Sequence, residues 1–246
     1  MKKLFYEIGL LIKSVPVTIT TLFVLSIVGM NLLANKSVNT NISWLAIDCG
    51  LILSWLAFLT MDILAKRYGP RGATIISILA LMVNLFMALI FFVASFIPGV
   101  WGESFVEGEE LVINTALNNT FRGTWYIILG SSIAFIVSAI VNNFLNYALG
   151  NAIKDNGGFG KFAIRSYIST MIGQFVDNLI FALIVSKVFF GWTYLQCFIC
   201  AISGAIIELL FEIIFSPLGY KVLKKLEKEH IGDEYLEYRR NELCKK

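Results

Sequence analysis

The chain has 246 residues, of which 57% are hydrophobic, 14% aromatic and only 15% charged, with a formal net charge of +3. A soluble domain averages about 25% charged residues, so this chain has too few charges to cover a surface in water. Composition excludes a soluble enzyme, a disordered chain, a collagen-like fibre and a disulfide-rich secreted domain, and it places the chain in a bilayer.

In chain order, Leu4, Ile8, Leu11, Ile12 and Val15 recur at helical spacing, with Lys3, Glu7 and Lys13 elsewhere around the turn. That pattern predicts a short amphipathic helix on the membrane surface over residues 1–16. A bilayer core about 30 Å thick needs roughly 20 apolar residues per helix. Six such runs follow, at 17–33, 44–61, 73–97, 125–149, 166–190 and 194–215. The fold class expected is therefore all-α, an integral membrane bundle of six transmembrane helices. Residues 17–217 form its transport domain, and 218–246 a charged cytoplasmic helix continuing from the last span. Asp48 near its start makes the second run the weakest.

Of the twenty Lys and Arg, only Lys36, Arg122 and Lys187 fall outside the two termini, the 2–3 loop and the 4–5 loop. This asymmetry predicts cytoplasmic N- and C-termini and a multi-pass protein of the inner, cytoplasmic membrane. The positive charge is topological and implies no nucleic acid partner. Glu103, Glu107, Glu109 and Glu110 make the 3–4 loop, 98–124, an acidic outer segment.

Catalytic patterns are missing. The stretch 156–161 is glycine-rich but lacks phosphate-loop spacing, and no metalloprotease or serine-hydrolase motif occurs. Cys197 and Cys200 lie inside an apolar run and read as packing residues, while His230 has no Cys or His beside it. No catalytic residue, metal site or cofactor is expected.

Polar residues inside the spans line up. Gly130, Ala134, Ser138, Asn142 and Asn146 step by four in span four. Span five carries the rows Ser169, Gly173, Asp177 and Thr170, Gln174, Asn178. Span six carries Cys200, Gly204, Glu208, Glu212 and Ser216. Burying an amide or carboxylate in hydrocarbon costs several kcal/mol, so such rows mark interior faces. Asn84 in span three and Asn143, taken singly, read as amides bonding one helix to the next. Asp177, Glu208 and Glu212 have no mid-span Lys or Arg to pair with, so they are either protonated or facing a polar solute. The candidate binding set is Asn84, Asn142, Asn146, Gln174, Asp177, Asn178, Glu208 and Glu212. If the polar faces of spans four, five and six converge, carboxylates, amides and aromatic faces suit a small polar solute of cationic or purine-like kind.

The motif Ser169-Thr170-x-x-Gly173-Gln174-x-x-Asp177-x-x-Ile180-Phe181 resembles the signature of the VUT family of queuosine-precursor transporters. So do Asp62-Ile63-Leu64 with Tyr68-Gly69, the entry to span four from Phe121 to Phe135, and Glu212-x-x-x-Ser216-Pro217-Leu218-x-Tyr220. Lys66, Ala139 with Asn142, and Glu208 depart from the family pattern. The resemblance implies import of a 7-deazaguanine derivative or queuine for tRNA modification.

Three readings follow. The first is a secondary carrier, with protons as the coupling ion and homo-oligomers allowed. The second is the substrate-capture subunit of an energy-coupling-factor type importer, whose fold the six spans resemble; it would dock an ATP-driven module through Gly130-Ala134-Ser138. The third is a membrane enzyme or assembly factor without transport.

Overall fold

A computed structural model describes residues 2–102, 110–152 and 159–244; the side chains of residues 2, 62, 110, 139, 142–144, 146–152, 159–166, 169 and 216 lie outside the description. Among the described residues the chain is helical, without strands beyond a single bridge between Ser37 and Asp48. Helix α1 is Lys2–Ser14, α2 Val17–Leu33, α3 Leu51–Ala94 and α4 Glu110–Ala152. Then come α5 Phe159–Phe181, a π-helical turn Ala182–Ser186, α6 Lys187–Phe190, α7 Tyr194–Lys228 and α8 Asp233–Leu243.

Four helices are long and apolar enough to cross a bilayer: Ile63–Ala94, Leu111–Ser138, Thr170–Phe190 and Tyr194–Phe215. The pair α1 and α2, bent by 103° at Pro16, together make a fifth candidate. Proline lacks the N–H and crowds the carbonyl four residues back, which ends α1 there. The second expected span, 44–61, is reduced to the shorter apolar helix Leu51–Met61, so length and composition alone identify four spans among the described residues, or five with the bent pair.

The second run starts at Leu51 instead of Trp44 for a local reason. Polar residues before it bond the backbone in a hairpin-like excursion. Val38 N–H donates to Ile47 at 2.7 Å, Cys49 N–H to Lys36 at 2.8 Å, and the Thr40 hydroxyl to the Leu45 carbonyl at 2.8 Å. Asp48 Oδ1 accepts the Gly50 N–H at 2.8 Å. Short polar side chains offer the chain an alternative to the helix ladder, and here that alternative wins over hydropathy.

The expected 3–4 loop is likewise shorter, because α4 starts at Glu110. Trp101 ties the two ends together. Its N–H groups reach Asn114 at 2.9 Å and Asn118 at 3.0 Å, and its ring stacks on Phe121. The Arg122 guanidinium lies 4.2 Å over the Phe96 ring. Glu103, Glu107 and Glu109 lie outside the described residues, as do 153–158 of the glycine-rich stretch.

The chain packs as two compact units. The first comprises Met1–Gly29, Leu53–Asn84 and Phe211–Lys246. Its core contains Leu11, Phe23, Leu64, Ile76 and Tyr235. Within it Leu10 and Leu11 of α1 and the following Val15 are buried, whereas Leu4 and Ile12 of the expected apolar stripe are exposed and Glu7 is buried, so the inward face is only partly the one the amphipathic spacing predicted. Gly69, at φ 77°, breaks α3 just before Pro70. Only glycine adopts that conformation freely.

Charged side chains fix this break. Arg71 donates twice to the buried Glu7, at 2.8 and 2.7 Å, while Arg67 donates to the Ile231 carbonyl at 2.9 Å and to Asp233. The Tyr68 hydroxyl reaches the Ser14 carbonyl at 2.8 Å. Burial first, and the Glu7 charge second, push the Tyr235 hydroxyl up to about 12, so it remains a donor at neutral pH.

The second unit comprises Met30–Ile52 and Leu85–Leu210, and its main helix pair is α4 against α5. It carries the amides and carboxylates described next.

Candidate polar site on helix α5

Small residues on α4 bring α5 close. A Cβ on Gly130 would lie 2.3 Å from Val185 Cγ2, Ala134 is fully buried, and Ser138 is buried one turn further on. The first three residues of the row expected from the sequence, Gly130, Ala134 and Ser138, are thus packed, with Gly130 against the π turn and Ser138 against α5. They are covered, which removes Gly130-Ala134-Ser138 as a docking face for a separate energising module.

The π turn contributes to the same contact. A π turn leaves backbone carbonyls without their usual helical donors, and these turns gather at functional sites. Here the Tyr126 hydroxyl donates to the Ile184 carbonyl at 3.0 Å, and the Cys197 thiol points at the Ala182 carbonyl at 3.4 Å. Cys197 and Cys200 are buried and free, in keeping with packing rather than redox pairing. Neither Tyr126 nor the π turn was legible in the sequence, because the run around them is uniformly apolar.

Residues three and four apart share a helix face, so Gln174, Asp177 and Asn178 form one polar patch on α5. Asp177 Oδ1 lies 2.9 Å from the Ser138 hydroxyl of α4, which also lies 3.0 Å from the Phe135 carbonyl. Asn178 Nδ2 donates to Glu208 Oε2 of α7 at 3.0 Å. Gly204, one turn before Glu208, makes room for this amide; a Cβ there would sit 2.8 Å from Asn178 Nδ2. Gln174 is 3% exposed, and neither its Oε1 nor its Nε2 has a hydrogen-bond partner among the described residues.

Four of the eight expected site residues, Gln174, Asp177, Asn178 and Glu208, are therefore brought to one patch. The side chains of Asn142 and Asn146 lie outside the described residues. Asn84 and Glu212 belong to the other compact unit. Asn84 is buried there, and its Nδ2 lacks a hydrogen-bond partner among the described residues. Ser138 is the residue sequence reasoning missed as a polar partner, although its place in the row of small residues on span four was the available signal.

The patch has a definite chemistry. A hydroxyl has one hydrogen, and Ser138 faces two acceptors. If Asp177 is ionised, that hydrogen goes to the carboxylate. If Asp177 is protonated, it donates to Ser138, whose own hydrogen turns to Phe135. The two arrangements interconvert without breaking an ion pair.

No curated protein and no solved structure matches the chain. A family model described as "Putative vitamin uptake transporter" matches residues 48–222, from the Asp48 turn to the C-terminal part of α7. With apolar helices that cross a bilayer and a model match over most of its length, the chain belongs to this vitamin uptake transporter family and is a multi-pass membrane transporter.

Proposed function

We propose that the chain imports a queuosine precursor, a 7-deazaguanine derivative or queuine, for tRNA modification, and that it does so as a secondary carrier in the cytoplasmic membrane. The observation that carries this reading is the α5 patch, in which Gln174, Asp177 and Asn178 lie within a membrane span and meet Ser138 and Glu208. A flat nitrogen-rich heterocycle offers N–H groups to carboxylates and a carbonyl to amides, as base edges do to protein side chains. The resemblance of Ser169 to Phe181 to the queuosine-precursor transporters supports the same solute.

The carrier has six spans and two cytoplasmic termini in this reading. Support comes from the Lys and Arg distribution and from α2 and Leu51–Met61, the two apolar helices that fall short of a span when taken alone. Residues 1–16 lie on the inner membrane surface. The proton is the coupling ion, and the Asp177–Ser138 contact is where it binds, since that contact has a bonded arrangement in each protonation state.

Uptake of labelled 7-deazaguanine into proteoliposomes containing this chain alone tests the reading. Import driven by a pH gradient is the expected result. Asp177→Ala should lower it at least about tenfold while the protein stays in the membrane, because each charged hydrogen bond lost contributes about 1.5–3 kcal/mol. Undiminished uptake by that variant removes the site. Binding without uptake by the chain alone favours a capture subunit that needs an energising partner.

A further inference from the structure

Gln174 combines near-complete burial, at 3% exposure, with two polar atoms that have no hydrogen-bond partner among the described residues. A leucine or methionine would fill the same volume without that cost, so packing does not account for a carboxamide there. Its neighbours on the face are engaged: Asp177 with Ser138, and Asn178 with Glu208. The idle group thus sits beside two groups that are already held in place.

A carboxamide presents an acceptor and a donor side by side in one plane. A lone carboxylate would satisfy its N–H groups and leave Oε1 idle. An ammonium group would satisfy Oε1 and leave the N–H groups idle. A cis-amide, as in the lactam of a six-membered ring, satisfies both at once through two parallel hydrogen bonds, in the way Asn and Gln meet base edges.

We infer that Gln174 is a specificity-determining residue that reads the lactam edge of a flat heterocyclic substrate, the ring N–H donating to Oε1 and the ring carbonyl accepting from Nε2. This inference rests on the carrier reading and adds the atom pairs by which the solute is chosen. Burying Gln174 without a solute leaves both atoms idle, whereas burying it against a lactam satisfies both.

The test uses the full-length protein in proteoliposomes and competition by three probes: 7-deazaguanine, its N1-methyl derivative and its O6-methyl ether. Both methylated probes lack the ring N–H. In the unaltered protein each should compete about tenfold to a hundredfold more weakly than 7-deazaguanine, the size expected when a buried polar group loses its partner. Gln174→Met should bind 7-deazaguanine more weakly by a similar factor and should no longer distinguish the three probes. Gln174→Leu provides a second apolar replacement should the methionine variant fail to insert.

If 7-deazaguanine competes and the variants still discriminate as the unaltered protein does, the inference falls while the carrier reading stands. If none of the three probes competes with the unaltered protein but a vicinal diol such as ribose does, both fall, because a diol also offers a donor beside an acceptor.

Discussion

Among the described residues each compact unit holds a buried cluster of polar side chains, around Glu7 in the first and around Asp177 in the second, and the two are satisfied in opposite ways. In the first, Glu7 is almost wholly buried and meets charge with charge: two bonds from Arg71, with Arg239 at 3.4 Å and the Tyr235 hydroxyl at 3.5 Å. In the second, Asp177 meets a hydroxyl, Glu208 meets an amide, and Gln174 has no hydrogen-bond partner among the described residues. A buried ion pair is costly to break, since removing one partner strands the other. A carboxylate held by a neutral group keeps the freedom to change its protonation or its partner. The first cluster holds its helices in place, and the second is the one suited to exchange in the proposed carrier.

Three substitutions test that contrast, beginning with the largest effect. Arg71→Met should strand Glu7 and cost about 3 kcal/mol, less than a fully enclosed pair would lose because Arg71 is half exposed and Arg239 remains. Thermal unfolding in detergent should show the loss, while uptake per folded molecule stays near normal. If transport fails and stability does not change, the first cluster is more than a brace. Gly204→Ala removes no polar atom, yet its Cβ would press on Asn178 Nδ2 and separate it from Glu208. About a tenfold loss of uptake is expected, equivalent to one hydrogen bond, with little change in melting temperature.

The smallest effect is at Asp233, which lies outside the spans. The Arg67 hydrogen bond, and after it that from His230, hold its carboxyl below the ordinary value of 3.8. A carboxyl with a lowered folded pKa stabilises the fold above its unfolded value and loses that contribution as pH falls through the folded one. Asp233→Asn should therefore be slightly less stable than the unaltered protein at neutral pH, and the two unfolding curves should converge in acid. A constant gap at all pH values would show that the charge of Asp233 is irrelevant.

Much of the helical fold was legible because apolar length is a strong signal. The 17–33 run matches α2 in full, and the Gly69-Pro70 pair marks the break in α3. What failed were boundaries at which polar side chains compete for the backbone. Trp44 to Ile47 is as apolar as a span, but Thr40 and Asp48 bind the chain locally and delay the helix to Leu51. Glu110 to Thr124 is too polar to suggest a helix, yet Asn114 and Asn118 bond Trp101 across the turn.

Within the site, spacing alone grouped Gln174, Asp177 and Asn178, because they share one helix face. Spacing along α7 also linked Glu208 to Glu212, but it carries no information about which compact unit each residue joins. Asn178 meets Glu208, and Glu212 packs with the first unit.

The π turn at Ala182–Ser186 has a consequence for the length of the chain itself. It holds one more residue than an α-helical turn would, and one residue is about 100° of rotation. The surplus residue acts as an angular spacer, so the part of α5 bearing Gln174 to Asn178 and the part bearing Val185 are keyed separately to their neighbours. Deleting any one residue between 182 and 186 would restore a regular helix, leave Tyr126 and Cys197 without their acceptors, and swing α6 by about a quarter turn. At this point a point deletion is a change of aim, where a substitution of similar size would be a change of packing.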